Sequence, residues 1–505
     1  MNRLFSKWWL LVLFSSILAF LNVCKIEFFA SWICLVPLFV ISIDGNAKKS
    51  FRLGFVFGLF FSVFSFFWVM AGLQTFTGSS FVYGIVASVL LCAFLSTFYG
   101  LILFSFSLLK IKNESTAAVW INALLIASIF TVAEVLLTIV SEGFPWLAGY
   151  MGNGLAANIF SIQPVAIFGI PVLTFIVVFV NYLFAYTIKS TAWKRIYWPL
   201  GIIILYNLAG FFILNNFQEK ITTKQSFKAA VIAENIPPEM KWDENTGDYL
   251  VKRLLDLNHS AVALNPDVIL WSESAIPWTY KPDDDLLKEI LKAGANKQIT
   301  HILGINTEYK DNVVLNSAYA ILPDGEVAGR YDKQYLLSVI EKPLNGFLMP
   351  FLSSAGFSVV NDVKHAEPLK TPFGNAGILI CNEAAVPAAA QKMAKNNANF
   401  LCNMSNDGWF SDTYIVKLHF YCARLRAVAT RKDVVVNSNN GYSGLIKASG
   451  EIDAMERSED PFVKMVSVQP NNIISTATKF PNLFLYLCVF FVAGIFVYQI
   501  IKNRS

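Results

Sequence analysis

Long apolar runs fill the first 215 residues of the chain, and one more lies at its C-terminal end. Six runs approach or exceed the roughly 20 residues that a helix needs to cross a bilayer core. They cover residues 53–73, 81–109, 117–140, 164–186, 196–214 and 482–501. Residues 8–43 are interpreted as two further short spans that turn at Lys25 and Glu27. The pattern predicts a membrane domain over residues 1–215 with about seven spans, and an eighth, final transmembrane helix over residues 481–501.

A secretory signal is the alternative interpretation of residues 1–24, because Arg3 and Lys7 precede an apolar segment there. Val23 is too large for the small residue that a cleavage site needs, and further apolar runs follow at once. We therefore favour a membrane span.

The loops between the spans differ in charge. Basic residues follow the second, fourth and sixth spans and the last one, at Lys48, Lys49, Arg52, Lys110, Lys112, Lys189, Lys194, Arg195, Lys502 and Arg504. The alternate loops at residues 74–80 and 141–163 contain no Lys or Arg. By the positive-inside rule, both termini are predicted to be cytoplasmic. The polar region between the seventh and eighth spans is then predicted to lie on the outer face of the membrane.

Glu134 interrupts the fifth span, where an ionisable side chain is costly unless it faces protein or a wet cavity. Two interpretations stay open, a polar group of a functional cavity and a structural hydrogen bond to a neighbouring helix. The next outer loop contains Gly-Phe-Pro-Trp at residues 143–146, which predicts a turn at the membrane interface.

Short apolar runs alternate with helical patterns between residues 226 and 478. Strand-type runs lie at residues 228–233, 268–271, 301–306, 316–322, 326–331, 376–381, 400–403 and 434–437. Helical patterns lie at residues 248–263, 285–293 and 416–430. Pro-Asp-Gly at residues 323–325 joins two strand-type runs and is typical of a hairpin turn. This mixed order predicts a layered α/β domain.

Composition excludes several classes of function. The net charge of +5 is small for 505 residues, and no basic face typical of nucleic-acid binding is evident. An odd number of cysteines, seven, without C-x-x-C spacing, argues against a disulfide framework or a zinc site. The four histidines are too few and too scattered for a metal cluster. We therefore expect no metal and no cofactor.

Three reactive residues each follow a strand-type run: Glu273, Lys333 and Cys381. Cys381 is placed at a strand-to-helix corner, where backbone N–H groups are expected to lower the pKa of the thiol and bind an oxyanion. Glu273 is a candidate general base for that thiol, and Lys333 a candidate stabiliser of the oxyanion. A structural role is the commoner one for a buried cysteine, and Cys402 and Cys422 are interpreted that way. Together the three residues predict covalent acyl chemistry, and the surrounding hydrophobic segments indicate that the acyl group comes from lipid.

The motifs around these residues resemble those of the nitrilase (carbon–nitrogen hydrolase) superfamily. They are Pro-Asp-Val-Ile-Leu-Trp-Ser-Glu-Ser-Ala-Ile-Pro at residues 266–277, Arg-Tyr-Asp-Lys at 330–333 and Ile-Cys-Asn-Glu at 380–383. The resemblance implies an α-β-β-α sandwich. The added spans, with the motifs at residues 143–146, 405–410, 423–427 and 439–441, are similar to the apolipoprotein N-acyltransferase family within that superfamily.

This resemblance implies an N-acyltransferase of the bacterial inner membrane, with a periplasmic catalytic domain over residues 226–478. The enzyme would take an acyl chain from a phospholipid as a thioester on Cys381. It would then pass that chain to the N-terminal amine of a diacylglyceryl-cysteine lipoprotein, acting as a monomer. A membrane-bound amidase with water as acceptor, and a non-catalytic lipid- or lipoprotein-binding module, are the alternatives.

Residue roles follow from the same resemblance. Glu273 would be the base, Lys333 the oxyanion stabiliser and Cys381 the nucleophile. Glu341 and Glu383 would be supporting carboxylates near the site. Trp242 and Trp409 would contact substrate, with core packing as the alternative for each tryptophan.

Two departures from the family pattern are visible. Ser-Val-Ile-Glu stands at residues 338–341 where the family has Pro-Phe-Gly-Glu, and Cys-Asn-Glu at 381–383 replaces Cys-Tyr-Glu. A different loop path is therefore expected before Glu341. The apolar segment at residues 346–351 is predicted either to dip into the membrane surface or to be a buried core segment.

Overall fold

The structure is a computed structural model of the 505-residue chain. It describes residues 7–70, 80–113, 115–144, 149–220, 226–237, 240, 243–310, 313–338, 341, 358–360, 363–410 and 413–504. The chain forms two compact units. One comprises Met1–Glu142, Trp146–Asn215 and Phe480–Ser505, and the other comprises Gly143–Pro145 and Asn216–Lys479.

The first unit is helical. Its helices are α1 (Trp8–Lys25), α2 (Phe28–Ser31), α3 (Val36–Ser42), α4 (Ala47–Phe66), α5 (Phe81–Leu109), α6 (Thr116–Val140), α7 (Val165–Phe168), α8 (Pro171–Lys189), α9 (Tyr197–Lys220) and a last helix, Leu483–Arg504. Short 3₁₀ helices cover Asn153–Ala157 and Trp193–Ile196. Within the described part of the chain, seven helices are long and apolar enough to cross a membrane. The prediction of a multi-pass helical region is confirmed.

The segment at residues 8–43 differs from the predicted pair of short spans. Helix α1 is long enough to cross a bilayer, whereas α2 and α3 have 4 and 7 residues. Ile26 adopts a left-handed conformation (φ 60°) that ends α1, and a proline lies in the first turn of α3. Proline suits a helix start because the first N–H groups lack helical partners. The second half of this segment is therefore interrupted rather than one continuous helix.

The predicted span at residues 164–186 is also divided. Helix α7 ends at Phe168, Gly169 takes a positive φ of 78°, and α8 begins with Pro171. Glycine tolerates this conformation, and proline has no N–H to continue the helix through the break. Only the part after Gly169 forms a long helix.

Glu134 lies in α6 and is buried. Thr174 Oγ1 donates to its Oε2 at 2.5 Å, and the Met151 N–H donates to its Oε1 at 2.9 Å. Both carboxylate oxygens of Glu134 therefore accept hydrogen bonds from within the protein, which favours the interpretation of a structural hydrogen bond. In the loop after α6, Gly143 turns the chain with a φ of 88°, while residues 145 and 146 of the predicted interfacial turn lie outside the described residues.

The second unit contains two β-sheets. Its strands are β1 (Phe227–Ala233), β2 (Val268–Leu270), β3 (Ile276–Thr279), β4 (Thr300–Lys310), β5 (Val313–Leu315), β6 (Ser317–Ile321), β7 (Val327–Asp332), β8 (Ser358–Val359), β9 (Leu369–Thr371), β10 (Gly374–Ile380), β11 (Phe400–Asn406), β12 (Val434–Asn439), β13 (Ser443–Ile446), β14 (Ile452–Glu456) and β15 (Phe462–Val468). A nine-stranded sheet runs β15-β1-β2-β4-β5-β8, with β3 and β6 also paired to β4, and β7 paired to β6. A six-stranded sheet runs β14-β13-β12-β11-β10-β9.

Helices cover both sheets. They are α10 (Gly247–Ala263), α11 (Asp285–Gly294), α12 (Pro387–Lys395), α13 (Ile415–Thr430) and α14 (Thr476–Lys479). Apolar residues of α10 and α11 share a core with one face of the nine-stranded sheet. Residues of α12 and α13 share a core with the six-stranded sheet, and the facing side of the nine-stranded sheet belongs to that same core.

Strand β1 shows why this layering forms. Phe227, Ala229 and Val231 face the core between the sheets, whereas Ala230 and Ile232 face the core under α10 and α11. Successive side chains of a strand point to opposite faces, so the apolar run after Lys228 buries both. The predicted α-β-β-α sandwich is confirmed.

Candidate active site

Cys381 lies at a sharp corner after β10. It begins a five-residue 3₁₀ helix, Cys381–Ala385, and its φ is 52°. A non-glycine residue in the left-handed region is uncommon and carries strain, which is often found at functional sites. The side chain is buried, with 5% of its surface exposed. The predicted strand-to-helix corner is therefore present, although the helix is a single short 3₁₀ segment.

Glu273 lies where the chain leaves the end of β2. Ser274, with a φ of 50°, turns the chain toward β3. The carboxylate is buried and held by several donors: Asn316 Nδ2 donates to Oε1 at 2.8 Å, and the Asn406 N–H donates to Oε2 at 3.0 Å. A Cβ atom at Gly304 of β4 would meet the Ser272 carbonyl oxygen at 2.1 Å. Glycine therefore allows β4 to pass close behind the Glu273 segment.

Lys333 follows β7 directly and is 1% exposed. Its Nζ lies 2.9 Å from Glu341 Oε1 and 3.4 Å from Glu273 Oε1. Asn316 Nδ2 also donates to Glu341 Oε1, at 3.3 Å. Asn316 and Lys333 thus bridge the two carboxylates, and the structure brings together Glu273, Lys333 and Glu341.

The charges in this cluster set the pKa of Lys333. Burial by itself lowers the pKa of the ammonium, but attraction to Glu341 and then to Glu273 outweighs that effect and raises the pKa above its ordinary value. Lys333 therefore carries a fixed positive charge at any physiological pH.

The thiol of Cys381 belongs to the same electrostatic cluster. Burial raises its pKa well above the ordinary value, Glu273 raises it further, and Lys333 acts in the opposite direction. The expectation of a lowered thiol pKa is therefore wrong. The short 3₁₀ helix offers few aligned N–H groups, while burial and nearby carboxylates both oppose the thiolate. The resting thiol is neutral and needs a base to become a nucleophile.

Glu383 connects the nucleophile's corner to the Lys333 segment. Tyr331 Oη and the Gln334 and Tyr335 N–H groups donate to its Oε1 at 2.9, 2.7 and 3.1 Å. The Ile380 N–H donates to its Oε2 at 2.8 Å. Glu383 is fully buried, and burial raises the pKa of its carboxyl against the lowering effect of these hydrogen bonds. One carboxylate thereby holds the Tyr331 side chain, the backbone just after Lys333 and the backbone before Cys381.

A second polar network lies behind Asn406. Ser438 Oγ donates to Asp407 Oδ2 at 2.8 Å, and His419 Nδ1 lies 2.6 Å from Asp407 Oδ1. The negative charge of Asp407 also contributes to the raised pKa of the Cys381 thiol. These residues hold the end of β11, which supplies the Asn406 N–H to Glu273.

A cavity of about 240 Å³ opens beside Glu273. Its lining includes the polar residues Glu234, Asn306, Asn406 and Asn439, together with apolar residues such as Met240. Within the described residues, no group of three or more His, Cys, Asp and Glu side chains is arranged to hold a metal ion. The cavity combines polar and apolar walls next to a candidate base.

Not every predicted site residue is described. Trp242 and residues 346–351 lie outside the described residues. Trp409 lies in the 3₁₀ helix Gly408–Phe410, and its side chain is outside the described part of the structure. The loop at residues 338–341 is described only at Ser338 and Glu341, where the Leu337 N–H donates to Glu341 Oε2 at 2.7 Å.

Sequence reasoning gave no site role to Asn316, Asn406, Asp407 and Glu234, although Asn406 and Asp407 lie in the motif at residues 405–410. Asn316 and Glu234 each lie at a strand end, as Glu273 does, and this shared position is the signal that could have found them. A strand-end polar residue is common, however, and only the pairing of the strands shows which of them meet.

Two family models match the chain. A carbon–nitrogen hydrolase model matches residues 228–477, which contain the layered domain and the Glu273, Lys333 and Cys381 cluster. An apolipoprotein N-acyltransferase N-terminal domain model matches residues 12–183, within the helical unit. The protein is thus a multi-pass membrane protein with a catalytic-type domain of the nitrilase superfamily.

Relatives that align over most of the chain identify the family within this class of membrane proteins. The chain is 25% identical over 469 residues to an apolipoprotein N-acyltransferase of Geobacter metallireducens, covering 91% of this chain and 88% of the relative. It is 27% identical over 456 residues to one of Wigglesworthia glossinidia brevipalpis, covering 86% of each. A solved carbon–nitrogen hydrolase from Helicobacter pylori G27 aligns with 15% identity and a TM-score of 0.37, over 48% of this chain and 89% of that one. The chain belongs to the apolipoprotein N-acyltransferase family, by distant homology.

Proposed function

We propose that this protein transfers an acyl chain from a membrane phospholipid, through a thioester on Cys381, to the N-terminal amine of diacylglyceryl-cysteine lipoproteins. The observation that carries the proposal is the burial of Cys381 in one cluster with the Glu273 carboxylate and the Lys333 ammonium. The names of the related proteins support the lipoprotein acceptor.

The first step of the proposed reaction forms the thioester. Glu273 takes the thiol proton, and the Cys381 thiolate attacks the carbonyl carbon of a phospholipid ester. Lys333 stabilises the oxyanion of the tetrahedral intermediate. The C–O bond then breaks, and the lysophospholipid leaves as an alcohol with the proton that Glu273 returns.

The second step transfers the acyl chain. The acceptor's neutral amine attacks the thioester carbonyl, the C–N bond forms, and the C–S bond breaks. Glu273 takes one proton from the nitrogen and returns it to the departing thiolate, which restores the Cys381 thiol. Two successive substrates at one nucleophile imply ping-pong kinetics.

Residues 226–478 would be the catalytic domain, held on the outer face of the membrane by the spans at residues 1–215 and 481–501. The proposed orientation rests on the loop charges and the positive-inside rule. It places the nucleophile in the compartment where mature lipoprotein N-termini are found.

Intact mass spectrometry tests the proposal directly. Purified protein is incubated with phospholipid, and an acyl increment is expected on the wild type and on Cys402→Ser, whose side chain is another buried thiol on β11. Cys381→Ser is expected to show no increment, because a hydroxyl is far harder to deprotonate than a thiol. An unchanged increment in Cys381→Ser would reject the thioester.

The acceptor is tested by adding a peptide with a free N-terminal diacylglyceryl-cysteine to the acyl-enzyme. Loss of the increment with appearance of the acylated peptide is expected. Release of free fatty acid at the same rate without the peptide would indicate a hydrolase instead.

A further inference from the structure

Glu234 lies at the same sheet edge as Glu273. It follows β1 directly, and β1 pairs in parallel with β2, the strand that leads to Glu273. The Ser272 N–H donates to Glu234 Oε1 at 3.3 Å. Because the carboxyl ends of parallel strands meet at one edge, both glutamates line the same cavity of about 240 Å³.

One oxygen of this carboxyl group lacks a hydrogen-bond donor among the residues that the structure describes. Glu234 is 1% exposed, and its Oε2 accepts no hydrogen bond from any residue that the structure describes. A buried carboxyl oxygen without a donor is unfavourable, and native structures leave few of them. The unused oxygen therefore indicates a hydrogen-bond donor that arrives with a ligand.

The charged groups around Glu234 do not supply that donor. Arg253 of α10 is the cation whose charge acts on Glu234. Its Nη2 donates to the Asn235 carbonyl at 3.0 Å, while its Nε and Glu234 Oε2 both lack a hydrogen-bond partner among the described residues, so the two side chains are not bonded to each other there. Glu273, the other charged group of the cavity wall, is itself an acceptor.

The protonation of Glu234 fits an amine ligand. Burial raises the pKa of its carboxyl group to about 7, while hydrogen bonds from Ser272 and the charge of Arg253 act in the lowering direction. An α-ammonium group has a pKa of about 7.7–8.0. A carboxylate with a pKa close to that of its partner can accept the proton at neutral pH without holding it irreversibly.

We propose that Glu234 binds the protonated N-terminal amine of the acyl acceptor in this cavity and removes the proton that blocks attack on the thioester. The inference rests on the proposed function. The acceptor arrives as an ammonium ion with no free electron pair. One N–H bond breaks, the proton passes to the Glu234 carboxylate, and the neutral amine attacks the acyl carbon. Glu273 handles the second proton, and Glu234 releases the first to water.

The test compares two nucleophiles on enzyme that already carries the acyl group. Glu234→Gln, the exposed matched control Glu326→Gln and the wild type are first acylated with phospholipid. Each is then treated with a diacylglyceryl-cysteine peptide or with hydroxylamine, a small amine that is largely neutral at pH 7. Loss of the acyl increment is followed in a single turnover.

Glu234→Gln is expected to acylate at the wild-type rate and to react normally with hydroxylamine. Transfer to the peptide is expected to fall about tenfold or more at pH 7, and the deficit should narrow as the pH rises above the pKa of the amine. Glu234→Asp should recover part of the rate, and Glu326→Gln should match the wild type.

Four outcomes would overturn the inference, the last of them by rejecting the proposed function on which it rests. Unchanged peptide transfer in Glu234→Gln would show that Glu234 does not serve the amine. Equal slowing of acylation, hydroxylamine reaction and transfer would show that Glu234 only positions the Ser272–Glu273 segment. A deficit that stays constant with pH would exclude proton removal. Absence of any acyl increment on the wild type would reject the proposed function itself, and Glu234 with it.

Discussion

Replacing Glu273 by Gln should have opposite effects on two properties of the site: the Cys381 thiol should ionise more easily, while thioester formation should be lost. Glu273 is the largest source of the raised thiol pKa after burial. The wild-type cluster has one cation, Lys333, facing the carboxylates of Glu273 and Glu341. The variant keeps one carboxylate against one cation, so a thiolate there meets less repulsion. We expect a thiol that ionises at lower pH and yet an enzyme that does not form the thioester.

The size of both effects can be estimated. Two unit charges about 5 Å apart interact by about 3 kcal/mol at an effective dielectric constant of about 20. Loss of that repulsion should raise the thiolate fraction at a given pH by about two orders of magnitude. Loss of the base should lower the rate of thioester formation by about 10²–10⁴-fold. Lys333 cannot take over the role of Glu273, because a protonated ammonium group accepts no proton.

The substitution also has a structural cost. Glu273 accepts hydrogen bonds from Asn316, Lys333 and the Asn406 N–H, whereas a Gln amide nitrogen cannot accept any. Gln is expected to keep its carbonyl toward Asn316 and Lys333 and to leave the Asn406 N–H without an acceptor. One unsatisfied buried donor costs about 1–3 kcal/mol of folding free energy, which the domain should tolerate.

The assay follows the near-ultraviolet absorbance of the thiolate during a pH titration, with Cys381→Ala as the blank for tyrosine ionisation. Acyl increments are measured on the same samples, and Glu326→Gln serves as the matched control. A thiol titration that stays in place or moves to higher pH in Glu273→Gln would refute the electrostatic reasoning. Thioester formation at the wild-type rate would refute the role of Glu273 as base.

Three further outcomes are expected. Lys333→Ala leaves two buried carboxylates without their cation, so it should lower stability by about 3–5 kcal/mol and abolish acylation; acylation at the normal rate would exclude its oxyanion role. Glu383→Gln removes acceptors for the backbone N–H groups just after Lys333, so the free energy of unfolding should fall by about 1–3 kcal/mol. Acylation should slow without a change in its pH profile. A shifted pH profile with unchanged stability would indicate that Glu383 contacts the reacting atoms directly. A reporter fused at Asp324 should report the outer compartment and one at Lys49 the cytoplasm; a cytoplasmic signal at Asp324 would reject the proposed orientation.

Local patterns predicted much of the fold. The run at residues 228–233 is apolar on both faces after Lys228, and the structure has β1 at Phe227–Ala233. The amphipathic pattern at residues 248–263 corresponds to α10 at Gly247–Ala263. Strand β15, at Phe462–Val468, was not predicted, and the structure leaves most of its residues only partly buried. Its position depends on antiparallel pairing with β1, more than 200 residues earlier in the chain.

In the candidate site, too, local sequence patterns predicted some features, while others depend on the folded chain. Three reactive residues after strand ends could be identified from sequence, and the structure brings Glu273, Lys333 and Cys381 into one cluster. The direction of the thiol pKa could not be found that way. Burial and the distances to two carboxylates are properties of the folded chain, and they outweigh the N–H groups of a short 3₁₀ helix. Asn316 was missed for a related reason, since its contacts depend on the β4–β6 pairing.

The raised pKa of the Cys381 thiol does not obstruct the proposed reaction, because the proton stays inside the cluster. Ionising the thiol to solvent would leave three negative groups, Glu273, Glu341 and the thiolate, around the one cation Lys333. Passing the proton to Glu273 instead keeps the net charge of the cluster constant and only moves one negative charge from carboxylate to sulfur. Attack on the ester then moves that charge to the oxyanion, which Lys333 can also stabilise. Burial therefore penalises loss of the proton to solvent much more than its transfer to Glu273, and a dry site with a protonated resting thiol is compatible with a base-dependent nucleophile.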